Sequence, residues 1–358
     1  MPSLYTDFLE RTGPVLCLDI GSGTQDALLA SPGLEPENWA RFVLPAPARR
    51  IAERIAALTE ARRDIWLYGG NMGGGMGQAV ARHLAAGLEV YATPEAALAL
   101  HDDPARVAAM GVRPSPVAPA GACAVHLCDH DPGFWRQLLL ACGLPLPHVV
   151  VACAQDHGLH PEGNRVGRMR HWRTLLQTHP RPEAWLYAQP PAGLTRLAAL
   201  HRATGGPVAD TGTAAICGAL CLEEVQARSW REGVTVINVG NSHTLAALVY
   251  RGEVCGLYEH HTGQLPLDAL LRDLGEFRLG WLPEERVQAS GGHGTAFARI
   301  PEEAGGFAPT YILGPRRELL RGHGQFIAPY GDMMLAGCHG LLRALSSTDA
   351  TTRAHHAQ

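Results

Sequence analysis

An apolar run, Val15-Leu16-Cys17-Leu18, breaks at Asp19, passes through Ile20-Gly21-Ser22-Gly23-Thr24, and resumes at Ala27-Leu28-Leu29. Two apolar runs around a glycine turn predict strand, tight turn and strand, with glycine at the tip where the backbone must approach something closely. A third strand follows at Trp39 to Leu44. Ile51, Ile55 and Leu58 share one face of a helix over Arg49 to Arg62. Ile65-Trp66-Leu67-Tyr68 reads as a strand running into a glycine-rich loop, Gly69 to Gly77, and then a helix over Gln78 to Ala86. That sequence of elements is an α/β unit. More units follow, with strands at Gly121 to Leu127 and Val149 to Cys153, and helices near Phe134 to Cys142 and over Asn164 to Gln177, the last rich in arginine. Leu194 to Thr204 is helical, and Pro207-Val208-Ala209-Asp210-Thr211-Gly212 leads into a helix ending near Glu224.

At Gly233 the opening pattern returns. Val234 to Val239 is an apolar run, Gly240-Asn241-Ser242 a turn, His243 to Tyr250 a second run, and Arg251-Gly252-Glu253 a hairpin into Val254 to Glu259. The two copies lie about 220 residues apart and place a boundary near Ser229 to Gly233. The expected organisation is an α/β domain over 1–230 with inserted α/β units, a second α/β domain over 231–345, and a polar, frayed tail over 346–358.

Composition narrows the chemistry. With 358 residues, 46% hydrophobic and 18% charged, the chain can bury the cores of about two domains. A net charge of −4 argues against a nucleic-acid-binding surface. All 30 basic residues are arginine. Without lysine there is no P-loop lysine, no protein-kinase lysine and no Schiff base. A phosphate would have to be held by backbone N–H groups, arginine or a metal. Residues 1–13 carry charges and lack the apolar core of a signal peptide, and no run approaches the ~18 apolar residues of a membrane span. Nine scattered cysteines, most within apolar runs, fit buried thiols in a cytoplasmic protein. Cys217 and Cys221 have the spacing of two radical-SAM cluster ligands, but Glu224 stands where the third thiolate is needed.

The two strand–glycine–strand hairpins, one opening each half, resemble the phosphate loops of the actin, sugar-kinase and heat-shock-chaperone ATPase superfamily. The first loop is Asp19-x-Gly21-x-Gly23-Thr24, and the second is Asn238-x-Gly240-Asn241-x-His243-Thr244. The resemblance implies two duplicated actin-like, ribonuclease H-like α/β domains that close on ATP and Mg²⁺. It assigns Gly21, Gly23, Thr24 and Gln25 to the first phosphate loop, and Gly240, Asn241, His243 and Thr244 to the second. Gly291 and Gly292, in Ser290-Gly291-Gly292-His293-Gly294, match the adenosine loop. Gly331 and Asp332 open the closing interface helix, and Asp210-Thr211 matches the Asp-Thr pair that begins the interdomain helix of sugar kinases. The superfamily's second loop usually begins with aspartate, whereas position 238 is asparagine. More narrowly, the chain is similar to a prokaryotic family often labelled a pyruvate formate-lyase activating protein. That similarity is carried by the Asp19 to Asp26 loop, Gln155-Asp156-His157-Gly158, Gly314-Pro315-Arg316-Arg317 and Pro329-Tyr330-Gly331-Asp332-Met333-Met334.

Each candidate has a plainer reading. Asp19 would hold Mg²⁺ through water, with Asp26 beside it as a second metal residue, or Asp19 would only bond within its turn. Gly21, Gly23 and Thr24 would donate N–H groups to phosphate. Asp210 would be the catalytic base, with Asp156 next in line, or Asp210 would be a helix N-cap. The Gly69 to Gly77 loop would receive an anion or would be a tight connection. Arg316 and Arg317 would clamp an anion or lie on a surface turn. The leading function is Mg-dependent hydrolysis of ATP or transfer of its phosphoryl group, acting on an unidentified small molecule or client protein, away from nucleic acid and membrane. The other class is a metal- or cofactor-handling protein built on Asp129, His130, Asp156, His157 and His160.

Overall fold

The computed structural model describes residues 5–356. Among them, fifteen strands form three sheets. In chain order they are Val15–Ile20 (β1), Thr24–Ala30 (β2), Ala40–Pro45 (β3), Ile65–Gly69 (β4), Val90–Ala92 (β5), Arg113–Pro114 (β6), Cys123–Leu127 (β7), Val149–Ala154 (β8), Val208–Ala209 (β9), Val234–Val239 (β10), His243–Tyr250 (β11), Glu253–His261 (β12), Gly294–Phe297 (β13), Thr310–Leu313 (β14) and Gln325–Phe326 (β15).

The first sheet has the order β3-β2-β1-β8-β9 and the second β13-β12-β11-β10-β14-β15. Apart from the added edge strand β13, the two are the same design. An antiparallel meander of three strands is followed by two strands that join parallel to its first member. This is the duplicated actin-like, ribonuclease H-like architecture. The correspondence holds at single residues. Asp19 pairs with Asp26 across the first hairpin, and Asn238 pairs with Leu245 at the same place in the second. Both turns close with the same bond, Gly21 N–H to Thr24 O and Gly240 N–H to His243 O, each 2.9 Å. The third sheet, β6-β5-β4-β7, is wholly parallel and is inserted between β3 and β8. It has its own core around Ile55, Ile65, Leu67, Val90 and Val125.

Two helices lie at the centre. Thr211–Ala219 is buried from Gly212 to its end. Its Ala215, Ile216 and Ala219 pack with Val234 and Val236 of the second sheet, while Ala214 and Cys217 pack with Val15 and Cys17 of the first. Ala336–His356 follows the second sheet in the chain, yet Cys338, Leu341 and Leu342 pack on the first. The helices cross where Gly218 and Gly340 leave no side chain. A Cβ on Gly340 would collide with the carbonyl of Ala214, and one on Gly218 with that of Ala336. The helix expected to end near Glu224 stops at Ala219, and a separate helix, Glu223–Arg231, takes up the segment where the boundary was expected. Of the tail over 346–358, residues 346–356 continue the last helix and 357–358 lie outside the described residues. All nine cysteines are free; five are buried, but Cys142 is exposed and Cys123, Cys128 and Cys221 are half-buried, so the expectation of buried thiols holds only in part.

The crossing sets a stability test. Gly340→Ala should destabilise the protein by about 1–3 kcal/mol in urea unfolding, because the clash is with backbone that has no room to yield. Gly275→Ala, at a helical site open on all sides, should instead gain up to about 1 kcal/mol. Equal effects at the two sites would mean that the crossing is not tight.

Candidate functional site

The two glycine hairpins meet tip to tip. Ser22 Oγ and Ser242 Oγ are 2.7 Å apart, and a Cβ on Gly23 would strike the Asn241 side-chain amide. Around the tips lies a cleft of about 510 Å³ between the sheets. Asp19, Asp26, Asp156 and Asp210 line it, with Gly21, Thr24, Gly240, Asn241 and His243. The remaining expected residues lie elsewhere. Gln25 is buried and donates to Asp129 O, and the buried Thr244 hydroxyl bonds Thr262. Gly291 and Gly292 precede β13, where Gly292 abuts His260, and they do not line the cleft. Gly331 and Asp332 stand just before the lining residues Met333 and Met334, and Asp332 Oδ1 accepts from Met334 N–H. Gly21 and Gly240 spend their N–H groups inside their own turns. Of the tip residues, Ser22, Asn241 and Ser242 line the cleft with Gly21 and Gly240, whereas Gly23 does not.

Asp19 and Asp26 are crowded together at the base of the first hairpin. Burial raises Asp19 to about 6, with the negative charge of Asp210 adding to it and the Cys153 thiol, at 3.2 Å, opposing it. Burial and the charge of Asp19 raise Asp26 to about 8. Asp26 Oδ2 accepts from the Thr24 hydroxyl, but its buried Oδ1 has no partner. Gly337 makes this possible, since a Cβ there would overlap the Asp19 carboxylate. Paired oxygen donors with an orphaned buried atom fit a hard divalent cation such as Mg²⁺. The second hairpin has Asn238 and Leu245 at these positions and no carboxylate pair.

Asp210 and Asp156 are differently placed. Asp210 caps the Thr211–Ala219 helix by accepting from Gly212 N–H at 2.8 Å, and its other oxygen accepts from Asp156 N–H. Arg168 then holds both of its oxygens, at 3.0 and 3.3 Å. A carboxylate so engaged is a cap and an ion-pair partner, the plainer of the two readings, and is poorly placed to accept a proton. Asp156 accepts from Gly158 N–H at 2.8 Å and from Leu197 N–H at 2.9 Å, which ties its loop to the Thr195–Thr204 helix.

Arg168, in the helix Asn164–Thr178, is the residue the sequence did not single out. Its five N–H groups all find acceptors: Asp156 O, both oxygens of Asp210 and both oxygens of Glu259 on β12. Gln155 Nε2 also donates to Glu259 Oε1 at 2.7 Å. Burial alone would raise the Glu259 carboxyl, but Arg168 and the nearby His293 hold it well below the usual range. Nothing in the spacing marks Arg168 among the other arginines of its helix.

The histidines also differ from expectation. Asp129 is held by Arg196 at 2.7 and 3.2 Å and by Gly73 N–H, which anchors the Gly69 to Gly77 loop. His130 bonds Ala203 O. Of the five residues proposed for metal handling, only His157 joins a ligand cluster. Its companions are His243, Glu259 and His293, the one such group found among the described residues. Arg316 N–H bonds Val239 O, and Arg317 stacks on Phe326 at 5.5 Å; neither side chain lines the cleft. No helix among the described residues is long and apolar enough to cross a membrane.

Across residues 72–319 the chain matches the family described as "Putative pyruvate format-lyase activating enzyme (DUF1786)". Compared with curated proteins, it matches none. Among solved structures it is similar to the activator of the 2-hydroxyisocaproyl-CoA dehydratase from Clostridium difficile with bound ADPNP, at 10% identity over 96% of this chain and 97% of that one, TM-score 0.35. It is similar to MreB5 of Spiroplasma citri bound to ADP at 9% identity, covering 95% and 99%, TM-score 0.35. The polyphosphate/ATP-glucomannokinase of an Arthrobacter strain is similar at 15% identity, covering 95% and 99%, TM-score 0.33. The strand order of the two sheets, and not these overlays, carries the fold assignment.

Two measurements test this geometry. Arg168→Ala strands two buried carboxylates and should cost about 3–5 kcal/mol in urea unfolding. Arg168→Lys should not restore the loss, because an ammonium cannot reproduce the fork. Near-wild-type stability in both variants would remove Arg168 from the centre of the fold. For Asp19 and Asp26, the folded pKa values of about 6 and about 8 stand above the ordinary 3.8. The folded state therefore holds extra protons, and that stability is present at low pH and lost as pH rises. Without divalent cations, unfolding free energy should fall between about pH 4 and pH 8, and Asp26→Asn should flatten the slope. An identical slope in the variant would show that the pair is not crowded.

Proposed function

The chain belongs to the DUF1786 family, and from that premise and the shape of its cleft we propose that it binds ATP with Mg²⁺ between its two sheets and hydrolyses it. One observation carries the reading: two glycine hairpins of the same design meet tip to tip, and only one has a carboxylate pair at its base. Asp19 and Asp26 would hold the metal, which supplies charge neutralisation at the phosphates. The tip residues Ser22 on one side and Asn241 and Ser242 on the other would approach the phosphates from opposite sides. Since the chain has no lysine, backbone N–H groups and the cation take the part a lysine plays elsewhere.

Hydrolysis is favoured over transfer to a small molecule because Asp210 and Asp156, the two candidates for a substrate-activating base, already have both oxygens engaged. A nucleotide held between two sheets and released after hydrolysis would act as a clamp on their spacing, the kind of closure that drives a client. A three-thiolate iron–sulfur site does not fit this chain. Cys217 is buried, Cys221 lies against the Tyr5 hydroxyl, and position 224 is glutamate.

The reading is tested by melting the protein with ATP or ADP, with and without Mg²⁺. At about 100 times the dissociation constant, ligand should add about 2.7 kcal/mol of stability, and only with Mg²⁺ present. Asp19→Ala should remove the Mg²⁺ dependence and the turnover while the apo-protein still melts cooperatively. Absence of any nucleotide-dependent shift in the parent protein would overturn the proposal.

A further inference from the structure

We propose that His157, His243 and His293, with Glu259, form a binding site for a divalent first-row transition-metal ion that joins the two halves of the molecule. Their ligand atoms all lie within 4.8 Å of one another. The imidazole centroids are 4.6 Å apart for His157 and His293, 5.0 Å for His243 and His293, and 5.2 Å for His157 and His243. The residues arrive from separate elements. His157 follows β8 of the first sheet, whereas His243 opens β11, Glu259 is on β12, and His293 precedes β13, all in the second. The His293 N–H donates to Glu259 O at 3.0 Å, which fixes that pair.

The ring nitrogens point to a ligand. His157 Nε2 and both nitrogens of His243 and of His293 are buried without a hydrogen-bond partner, and His293 is only 4% exposed. Leaving so many buried polar atoms unpaired is costly unless something coordinates them. An orphaned imidazole alone would not suffice. Both nitrogens of His339 are also unpaired, but that ring packs 4.3 Å from Tyr330 and 6.3 Å from Trp39 as an aromatic, and it joins no cluster of three or more ligands among the described residues. In the cluster, three imidazoles and a carboxylate face one another.

Charge agrees. The single positive charge of Arg168 is shared by Asp210 and Glu259, which leaves one negative charge uncompensated beside three imidazoles. Glu259 Oε2 accepts only from Arg168, so lone pairs remain for a cation. Three nitrogen donors and one carboxylate suit Zn²⁺, Fe²⁺ or Co²⁺, and suit the hard Mg²⁺ poorly. The site is thus distinct from the oxygen-lined pair Asp19 and Asp26, and it stands whether or not the cleft takes ATP. His261, the register partner of His243, packs against His243 and His293 at 4.5 and 4.9 Å and walls the cluster from outside.

The test uses Co²⁺ as a spectroscopic probe on the full chain after chelator treatment. One equivalent should bind with visible d–d absorption, and Zn²⁺ should displace it. His243→Ala and His293→Ala should each weaken Co²⁺ binding by well over tenfold, since even losing an outer-shell partner costs about 10–100-fold. His293→Gln and His157→Gln repeat the measurement with side chains closer to the originals in volume, read only on protein with a cooperative melt. His339→Phe should bind Co²⁺ like the parent. Failure of the folded parent to bind Co²⁺ or Zn²⁺, or parent-like binding in the folded histidine variants, would overturn the site.

Discussion

The Arg168 guanidinium, buried and saturated with acceptors, is the interaction on which the centre of the molecule depends. It takes Asp210 from the first half and Glu259 from the second and adds the Asp156 carbonyl, so one cation sets the positions of three elements. Removing two carboxylates from water is tolerable only because a fork-shaped donor meets both. The same contacts hold Asp210 and Asp156 in the cleft wall with both carboxylate oxygens engaged, whereas Asp26 keeps a buried oxygen without a partner.

Duplication built the frame, and divergence at matched positions divided its labour. Asp19 corresponds to Asn238, Asp26 to Leu245, and Thr24 to His243. The first hairpin therefore offers hard oxygen donors and the second offers an imidazole, on tips that touch. A symmetric pair of loops could cradle a phosphate chain but would not distinguish its ends. These substitutions make the two sides of the cleft chemically unlike, with carboxylates on one and an imidazole on the other.

The central helices make the two halves interdependent. Because Gly218 and Gly340 permit backbone contact, the helix that follows each sheet also packs against the other half. This crossing cannot be loosened without exposing apolar surface. The inserted parallel sheet has its own core and reaches the cleft through two segments, Asn71 to Gly74, held in place by Asp129 and Arg196, and Leu98 to Asp102.

The amino-acid sequence alone determined the α/β class, both glycine hairpins and the duplication, because these are local: apolar runs of strand length around glycine turns appear in the chain as they do in space. It also placed Asp19, Asp26 and His243 at the two hairpin turns, which line the cleft, since each is bound to its turn by the two-residue period of a strand. What it could not determine was which distant residues share a site. Arg168 looks like any arginine of an arginine-rich helix, and Glu259 and His293 lie 102 and 136 residues beyond His157. Asp210 fits a base and an N-cap equally in one dimension, and only the arrival of Arg168 from another helix decides for the cap. Partners across the fold carry no periodic signal. Their meeting is a product of sheet order and helix crossing, and these are settled by burial in three dimensions.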